Sequence, residues 1–190
     1  MRTGAEIKLA LAAFVKRWSG YGGTERAEAQ TFLNDLFACY GADRKDVGAA
    51  DDDYSMGILL SRAHDAWAWA RSSTLETRLR YTPSSAFETF PFPDPGSPDV
   101  RAKVAAASAA LYARRTALCA EHQVGLTRLY NLMDEGAFTD LKALQLELDR
   151  AVVAAHGWPE SIAQDGAELV RLLTERNKEI AKGPRPYAPF

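Results

Sequence analysis

Three histidines, His64, His122 and His156, are the side chains best suited to acid–base chemistry or metal binding. Their spacing matches no metal-binding pattern, such as two histidines one helical turn apart with a glutamate between them. His64 is followed by Asp65, but adjacent residues on a helix do not face each other, so they form no catalytic dyad. We interpret His64 as a structural residue and predict no catalytic and no metal-binding residue.

Other reactive residue types lack the pattern that chemistry would need. The acidic run 51–53 has no alternating ligands and no distal glutamate, so it suits a solvated helix N-terminus better than a cation site. The glycines at 20–23 follow no strand and precede no Lys-Ser or Lys-Thr pair, which excludes a phosphate-binding loop. Cys39 and Cys119 are far apart, and we interpret both as free core thiols. No serine lies in a nucleophile elbow.

The stretch from 78 to 85 is the segment best suited to contact nucleic acid. Its arginines could pair with phosphates or guanine edges, its hydroxyls could reach phosphates, and its tyrosine could stack on a base. The alternative is an exposed strand edge with a solvated basic face. The candidate contact residues are Arg78, Arg80, Tyr81, Thr82, Ser84 and Ser85.

Helical periodicity dominates the elements around this stretch. An apolar stripe through Ile7, Phe14 and Trp18 predicts a first helix, and a second runs from about Thr24 to a cap at Gly41. A polar segment at 42–53 reads as a linker, after which helical periodicity resumes over 54–71. Alternation over 75–81 predicts a short strand. Prolines exclude a helix at 87–95, and we expect its three phenylalanines to be buried.

The C-terminal half reads as a set of helices. Ser97-Pro98-Asp99 is a strong helix start, and further helices are predicted at about 126–133, at 138–156 and from Asp165 onwards. The predicted fold is mainly α: a helical hairpin, a short extended or β segment and a C-terminal helical bundle. The predicted domains are an N-terminal hairpin (1–41), a linker or junction (42–53), a recognition-like region (54–96), a C-terminal helical region (97–182) and a flexible tail (183–190).

Composition argues against two classes of protein. The net charge is −2 and the pI about 6.0, whereas a nucleic-acid coat or a polybasic membrane binder is usually strongly basic. A local basic patch remains compatible with these totals. The apolar stretch at 9–15 is too short to span a bilayer, so the expectation is a cytoplasmic protein without a membrane partner.

Two blocks of sequence resemble one family. Phe14-Val15-Lys16-Arg17-Trp18, Phe32-Leu33-Asn34-Asp35-Leu36-Phe37 and Tyr40-Gly41 are similar to the N-terminal helical segment of the MmeI-like DNA methyltransferases. Those large restriction–modification proteins methylate adenine with S-adenosylmethionine.

The second block is similar to the end of that family's target-recognition region and to its C-terminal helices. It comprises Asp52-Asp53-Tyr54, Gly57-Ile58-Leu59, Ser61 to Trp67, Arg80-Tyr81-Thr82-Pro83 and Phe87-Glu88-Thr89-Phe90-Pro91-Phe92-Pro93, then Leu129-Tyr130-Asn131, Leu148-Asp149 and Gly157-Trp158-Pro159. Together the two blocks cover most of the chain.

The departure from the family is large. The glycine-rich cofactor motif, the Asn-Pro-Pro-Tyr or Asn-Pro-Pro-Phe motif that would hold a flipped adenine, and the nuclease motif are all missing from this sequence. Only the segment around 42–51 stands where the family has its nuclease, spacer and methyltransferase regions. The resemblance therefore implies the two ends of a methyltransferase joined after an internal deletion, with no catalytic residue and no cofactor in this chain.

Three hypotheses follow from these observations. The first is a truncated relative that binds double-stranded DNA weakly, without methyl transfer or cleavage. The second is a helical module that docks on a full-length methyltransferase subunit, in which case Trp67, Trp69, Phe87, Phe90 and Phe92 should be partly exposed. The third is a decayed gene product.

Overall fold

The computed structural model describes residues 9–10, 12–14, 16–17, 49–75, 78–93 and 97–183, with the backbone alone at 49–52, 73–75, 78, 80 and 83. This part of the chain is mainly helical, as predicted. Its elements in chain order are α1 (Ala49–Leu60), α2 (Arg62–Arg71), β1 (Ser73–Leu75), β2 (Arg78–Arg80), α3 (Pro83–Ala86), α4 (Pro98–His122), α5 (Leu126–Asp134), α6 (Thr139–Ala155), a 3-10 turn (Glu160–Ile162) and α7 (Gly166–Lys182).

The chain divides into two compact units. Unit 1 comprises residues 1–52 and 113–139, and unit 2 comprises residues 53–112 and 140–190. The described residues between 9 and 17 are helical, and Phe14 of the predicted first stripe is buried in unit 1, as are Leu118, Leu129 and Met133. The helix predicted from Thr24 to Gly41 lies outside the described residues.

The core of unit 2 forms around Trp67 and Phe90, both of which are 0% exposed. Aliphatic side chains from the long helices complete it, because the apolar positions recur at helical spacing on each of them. The fully buried ones include Ile58, Val104, Leu111, Leu141, Leu148, Val152, Leu169 and Leu173.

The continuous helix expected over 54–71 is two helices, and the first begins at Ala49 rather than at Tyr54. The break lies at Ser61, whose extended backbone (φ −76°, ψ 158°) caps the start of α2. Its hydroxyl donates to the Ile58 carbonyl at 2.6 Å and accepts from the His64 N–H at 3.5 Å. A serine side chain that satisfies both helix ends favours the interruption over a continuous helix.

The carboxylate of Asp149 in α6 is hydrogen-bonded to the start of α2 and so connects this break to α6. Its Oδ1 accepts from the backbone N–H of Arg62 at 2.8 Å and from the Gln145 amide at 3.1 Å, while Oδ2 accepts from the Gln164 amide at 3.0 Å. The same Gln145 amide also donates to the Leu60 carbonyl at 3.2 Å. Burial raises the pKa of Asp149, and these donors partly offset that effect.

The extended segment differs in detail from the single strand expected over 75–81. β1 and β2 pair with each other antiparallel, with Ser73 opposite Arg80, Thr74 opposite Leu79 and Leu75 opposite Arg78. In the described part of the chain each strand has three residues and one partner strand, and a two-stranded hairpin alone is only marginally stable.

The predicted C-terminal helix starts are confirmed. α4 begins at Pro98, with the Ser97 carbonyl accepting from the N–H of Val100 at 3.0 Å. The Asp165 carboxylate caps α7 by accepting from the Glu168 N–H at 3.0 Å. Among the described residues, no helix is long and apolar enough to cross a bilayer.

Gly57 marks a close approach of α1 to its neighbours. A Cβ at this position would lie 3.0 Å from Val104 Cγ1, 3.1 Å from Leu148 Cδ1 and 3.1 Å from Ser108 Cβ. We expect Gly57→Ala to destabilise the protein by about 1 kcal/mol in urea unfolding, since overpacking outweighs the better helix propensity of alanine. Gly166→Ala is the matched control. Its Cβ would meet only the Arg62 guanidinium, at 3.8 Å, so it should be neutral or stabilising; equal losses in the two variants would contradict the packing argument.

Removing the Asp149 carboxylate should be costly. Asp149→Ala leaves three N–H donors in a part-buried site without their acceptor, which should lower the free energy of unfolding by about 2–4 kcal/mol. Urea unfolding measures this loss. Glu147→Ala, two residues earlier on α6 at an exposed position, should change it by less than about 0.5 kcal/mol.

Candidate nucleic-acid interface

The hairpin that contains the candidate arginines is anchored at both ends. It leaves α2 at Ser72, whose N–H donates to the Ala68 carbonyl, and it returns at Thr82, whose N–H donates to Ser72 Oγ at 3.4 Å. Arg78 and Arg80 lie in β2 between these anchors, where the structure describes their backbone only. They are two residues apart, the spacing at which two strand positions share a face.

Tyr81 follows β2 directly and is bound to His64. The Nδ1 atom of His64 lies 3.1 Å from the Leu59 carbonyl, which can only accept, so Nδ1 carries the proton. The Nε2 atom is then the acceptor, and the Tyr81 hydroxyl donates to it at 3.1 Å. The two rings lie 5.8 Å apart, tilted by 54°. The Tyr81 hydroxyl is thus used within the fold, which makes it an anchor of β2.

His64 keeps this arrangement because it is neutral. Burial lowers the pKa of His64 to about 4, partly opposed by the hydrogen bond to Leu59. His64 is buried, and its two hydrogen bonds join the end of α1 to Tyr81 within the fold.

The three hydroxyl residues after Tyr81 that could contact DNA, Thr82, Ser84 and Ser85, differ in exposure and in hydrogen bonding. The Thr82 carbonyl accepts from the N–H groups of Ser85 and Ala86 at 3.1 and 2.8 Å and so starts α3. The Ser85 hydroxyl donates to the same carbonyl at 3.3 Å, whereas Ser84 is exposed. The structure thus joins Thr82 to Ser85 and Tyr81 to His64, whereas the Ser84 side chain is exposed to solvent.

A segment with three buried phenylalanines, residues 87–93, forms the aromatic strap. It is connected to the hairpin through His64, which contacts both Phe90 and Tyr81. Phe90 meets His64 and Phe92 edge-on at 5.0 Å each and Trp67 at 6.3 Å. Phe87 and Phe92 are also buried, so the prediction for the three phenylalanines is confirmed. The Asn177 amide of α7 donates to the Thr89 carbonyl at 2.6 Å and fixes the strap to the bundle.

A separate cleft of about 420 Å³ lies at the end of α6. It is lined by the stacked His156 and Trp158 rings, 4.4 Å apart, and by Arg176 and Glu179, which pair at 3.4 Å. Burial, reinforced by the charge of Arg176, lowers the pKa of His156 to about 3, so the ring is neutral. Glu175 also lines the cleft and pairs with Arg171, so each charged side chain of the lining already has a partner of opposite charge.

Arg71, just before the hairpin, was not among the residues predicted from the sequence to contact a ligand. The Arg71 guanidinium lies 4.3 Å from the centroid of the Trp67 ring, and its Nη2 lies 3.5 Å from Thr174 Oγ1. The i, i+4 spacing of Trp67 and Arg71 on a helix was the available signal.

No family model matches the chain, and neither a curated protein nor a solved structure is significantly similar to it. The resemblance to the MmeI-like methyltransferases therefore rests on the sequence blocks alone.

Burial of His64 should make the stability of the fold decrease in acid. Because the pKa of His64 is about 4 in the folded chain and about 6.5 when unfolded, the unfolded state binds more protons between these values. Stability is therefore full above about pH 6.5 and falls as the pH drops towards 4, by up to about 3 kcal/mol for this group.

His64→Asn tests this assignment, since its amide can still donate to the Leu59 carbonyl. Urea unfolding from pH 7 to 4 should show a flatter pH dependence in the variant than in the wild type. Asp149, whose raised pKa acts in the opposite direction, is present in both proteins and cancels in the comparison. Parallel pH profiles would refute the role of His64.

Proposed function

We propose that this chain is a non-catalytic relative of the MmeI-like adenine-specific DNA methyltransferases that contacts DNA through the segment 78–85. The sequence blocks support the relationship, and the residue types of this segment support the contact. The proposal assigns no methyl transfer, because the sequence contains neither the cofactor motif nor the adenine-binding motif.

The observation that supports this proposal best is the register of β2. Arg78 and Arg80 are opposite Leu75 and Ser73 in a two-stranded ribbon, two positions apart. A β-ribbon of this kind fits a DNA groove, and arginines spaced along it suit successive phosphates. Arg71, which is exposed and lies two residues before β1, adds a third positive charge to the same end of α2.

The burial of the aromatic side chains argues against the hypothesis of a module that docks on a methyltransferase subunit. Trp67, Phe87, Phe90 and Phe92 are all buried within unit 2. Only Trp69 of the five aromatic residues considered for docking is exposed. A surface made of all five is therefore not available to a partner.

The two arginines should account for the salt dependence of DNA binding. In a fluorescence anisotropy titration with a labelled duplex, Arg78→Ala combined with Arg80→Ala should weaken binding at low salt. It should also lower the slope of log K against log salt by about 2, since each lost phosphate contact removes about 0.9. Arg150→Ala, an exposed arginine on α6, is the control and should leave the slope unchanged.

Two results would count against the proposal. If the slope of log K against log salt is the same in the wild type and the double variant, segment 78–85 does not contact DNA. Transfer of a labelled methyl group to DNA by the wild type would show that the chain is catalytic after all.

A further inference from the structure

The cleft at the end of α6 has a lining that suits an apolar occupant. Its volume of about 420 Å³ lies within the range of ligand sites, roughly 300–1,000 Å³. Trp158 and Leu172, which line it, are both partly exposed, and His156 covers one face of the Trp158 indole. Since the charged side chains of the lining already pair with residues of α7, the surface left for an occupant is aromatic and apolar.

The C-terminal end of α7 lies beside this cleft. The helix lines the cleft with Leu172, Glu175, Arg176 and Glu179, which occupy positions i, i+3, i+4 and i+7 and therefore share one face. Gly183, which caps α7, follows Leu172 by about three turns of 3.6 residues and so lies on the same face. The chain therefore leaves α7 on the side that lines the cleft, about 6 Å beyond Glu179 along the helix axis.

The segment 184–190, which follows Gly183, has the composition and the length to reach the cleft. It lies outside the described residues, and its sequence is Pro184-Arg185-Pro186-Tyr187-Ala188-Pro189-Phe190. Gly183 before it has φ −67° and ψ 150°, the geometry of polyproline II. Seven residues in that conformation span about 22 Å, whereas the part of α7 that lines the cleft begins about 15 Å before the end of the helix.

Two general properties favour this segment over a separate partner. Proline-rich segments bind aromatic-lined grooves because their extended conformation is already formed and little conformational entropy is lost on binding. A segment joined to its site by a short connection also has an effective concentration there on the order of 1 mM. A second copy of the chain at micromolar concentration competes poorly with it.

We propose that segment 184–190 docks in the cleft at the end of α6, with its rings packed against Trp158 and Leu172. The docked segment covers the stacked His156 and Trp158 rings and so connects the end of α7 to the end of α6. This proposal uses no residue of the hairpin and is independent of the proposed DNA contact.

The test follows the indole N–H resonance of Trp158 in NMR spectra of the full chain, identified by its loss in Trp158→Phe. Tyr187→Ser combined with Phe190→Ser removes the two rings of the segment and should shift this resonance. A synthetic peptide of residues 183–190, added to the double variant at up to about 5 mM, should move it back towards the wild-type position. Tyr112→Ser, at an exposed aromatic residue outside the cleft, is the matched control and should leave the resonance unchanged.

Three results would overturn the proposal. If the Trp158 resonance is the same in the wild type and the double variant, the segment does not lie against the indole. If the peptide leaves the resonance of the double variant unchanged, the shift does not come from docking in the cleft. If the wild-type resonance changes between about 10 μM and about 1 mM protein, the occupant comes from a second copy of the chain. DNA binding is not measured in this experiment, so the proposed function stands or fails separately.

Discussion

The structure of unit 2 depends on how the interruption between α1 and α2 is satisfied. A helix that ends inside a protein leaves carbonyl groups without partners, and burying them unpaired would cost free energy. Here the carbonyls of Ile58, Leu59 and Leu60 accept from Ser61, His64 and Gln145 in turn. The first N–H of α2 donates to Asp149. Groups from two stretches far apart in sequence, 58–64 and 145–149, therefore meet at one break.

This arrangement links the interior to the candidate interface. The same His64 that accepts from Tyr81 donates to the end of α1, so one neutral ring connects the helix break to the end of β2. The edge of Phe90 closes the other side of the ring and brings the aromatic strap into the same cluster. The position of the hairpin thus depends on core contacts, and a substitution at the break between α1 and α2 should shift the end of β2.

The elements that could be predicted from the sequence are those with local signals. Ser97-Pro98 and Asp165-Glu168 mark their helix starts because capping involves residues within one turn of each other. The phenylalanine strap was predictable because its prolines exclude a helix and its rings need burial.

The parts that could not be predicted depend on residues far apart in sequence. Arg62 and Asp149 are 87 positions apart, and His64 and Tyr81 are 17 apart, so periodicity contains no trace of either pair. Tyr81 shows the limit for the site as well. Its residue type allowed a role in stacking or phosphate contact, but only the fold shows that its hydroxyl is bound to a histidine. The positive charge of Arg78 and Arg80 was evident from their type, whereas the pairing of their strand with β1 was not.

The stack of His156 on Trp158 has an optical consequence. The two ring centroids lie 4.4 Å apart and the planes are within 7° of parallel, so an imidazole is stacked on the indole in the folded chain. A protonated imidazole quenches indole emission, whereas a neutral one does so only weakly. Because the pKa of His156 is about 3, the folded chain keeps Trp158 beside a neutral ring in mildly acidic solution. The chain thus contains an intrinsic fluorophore whose environment records whether the end of α6 is packed.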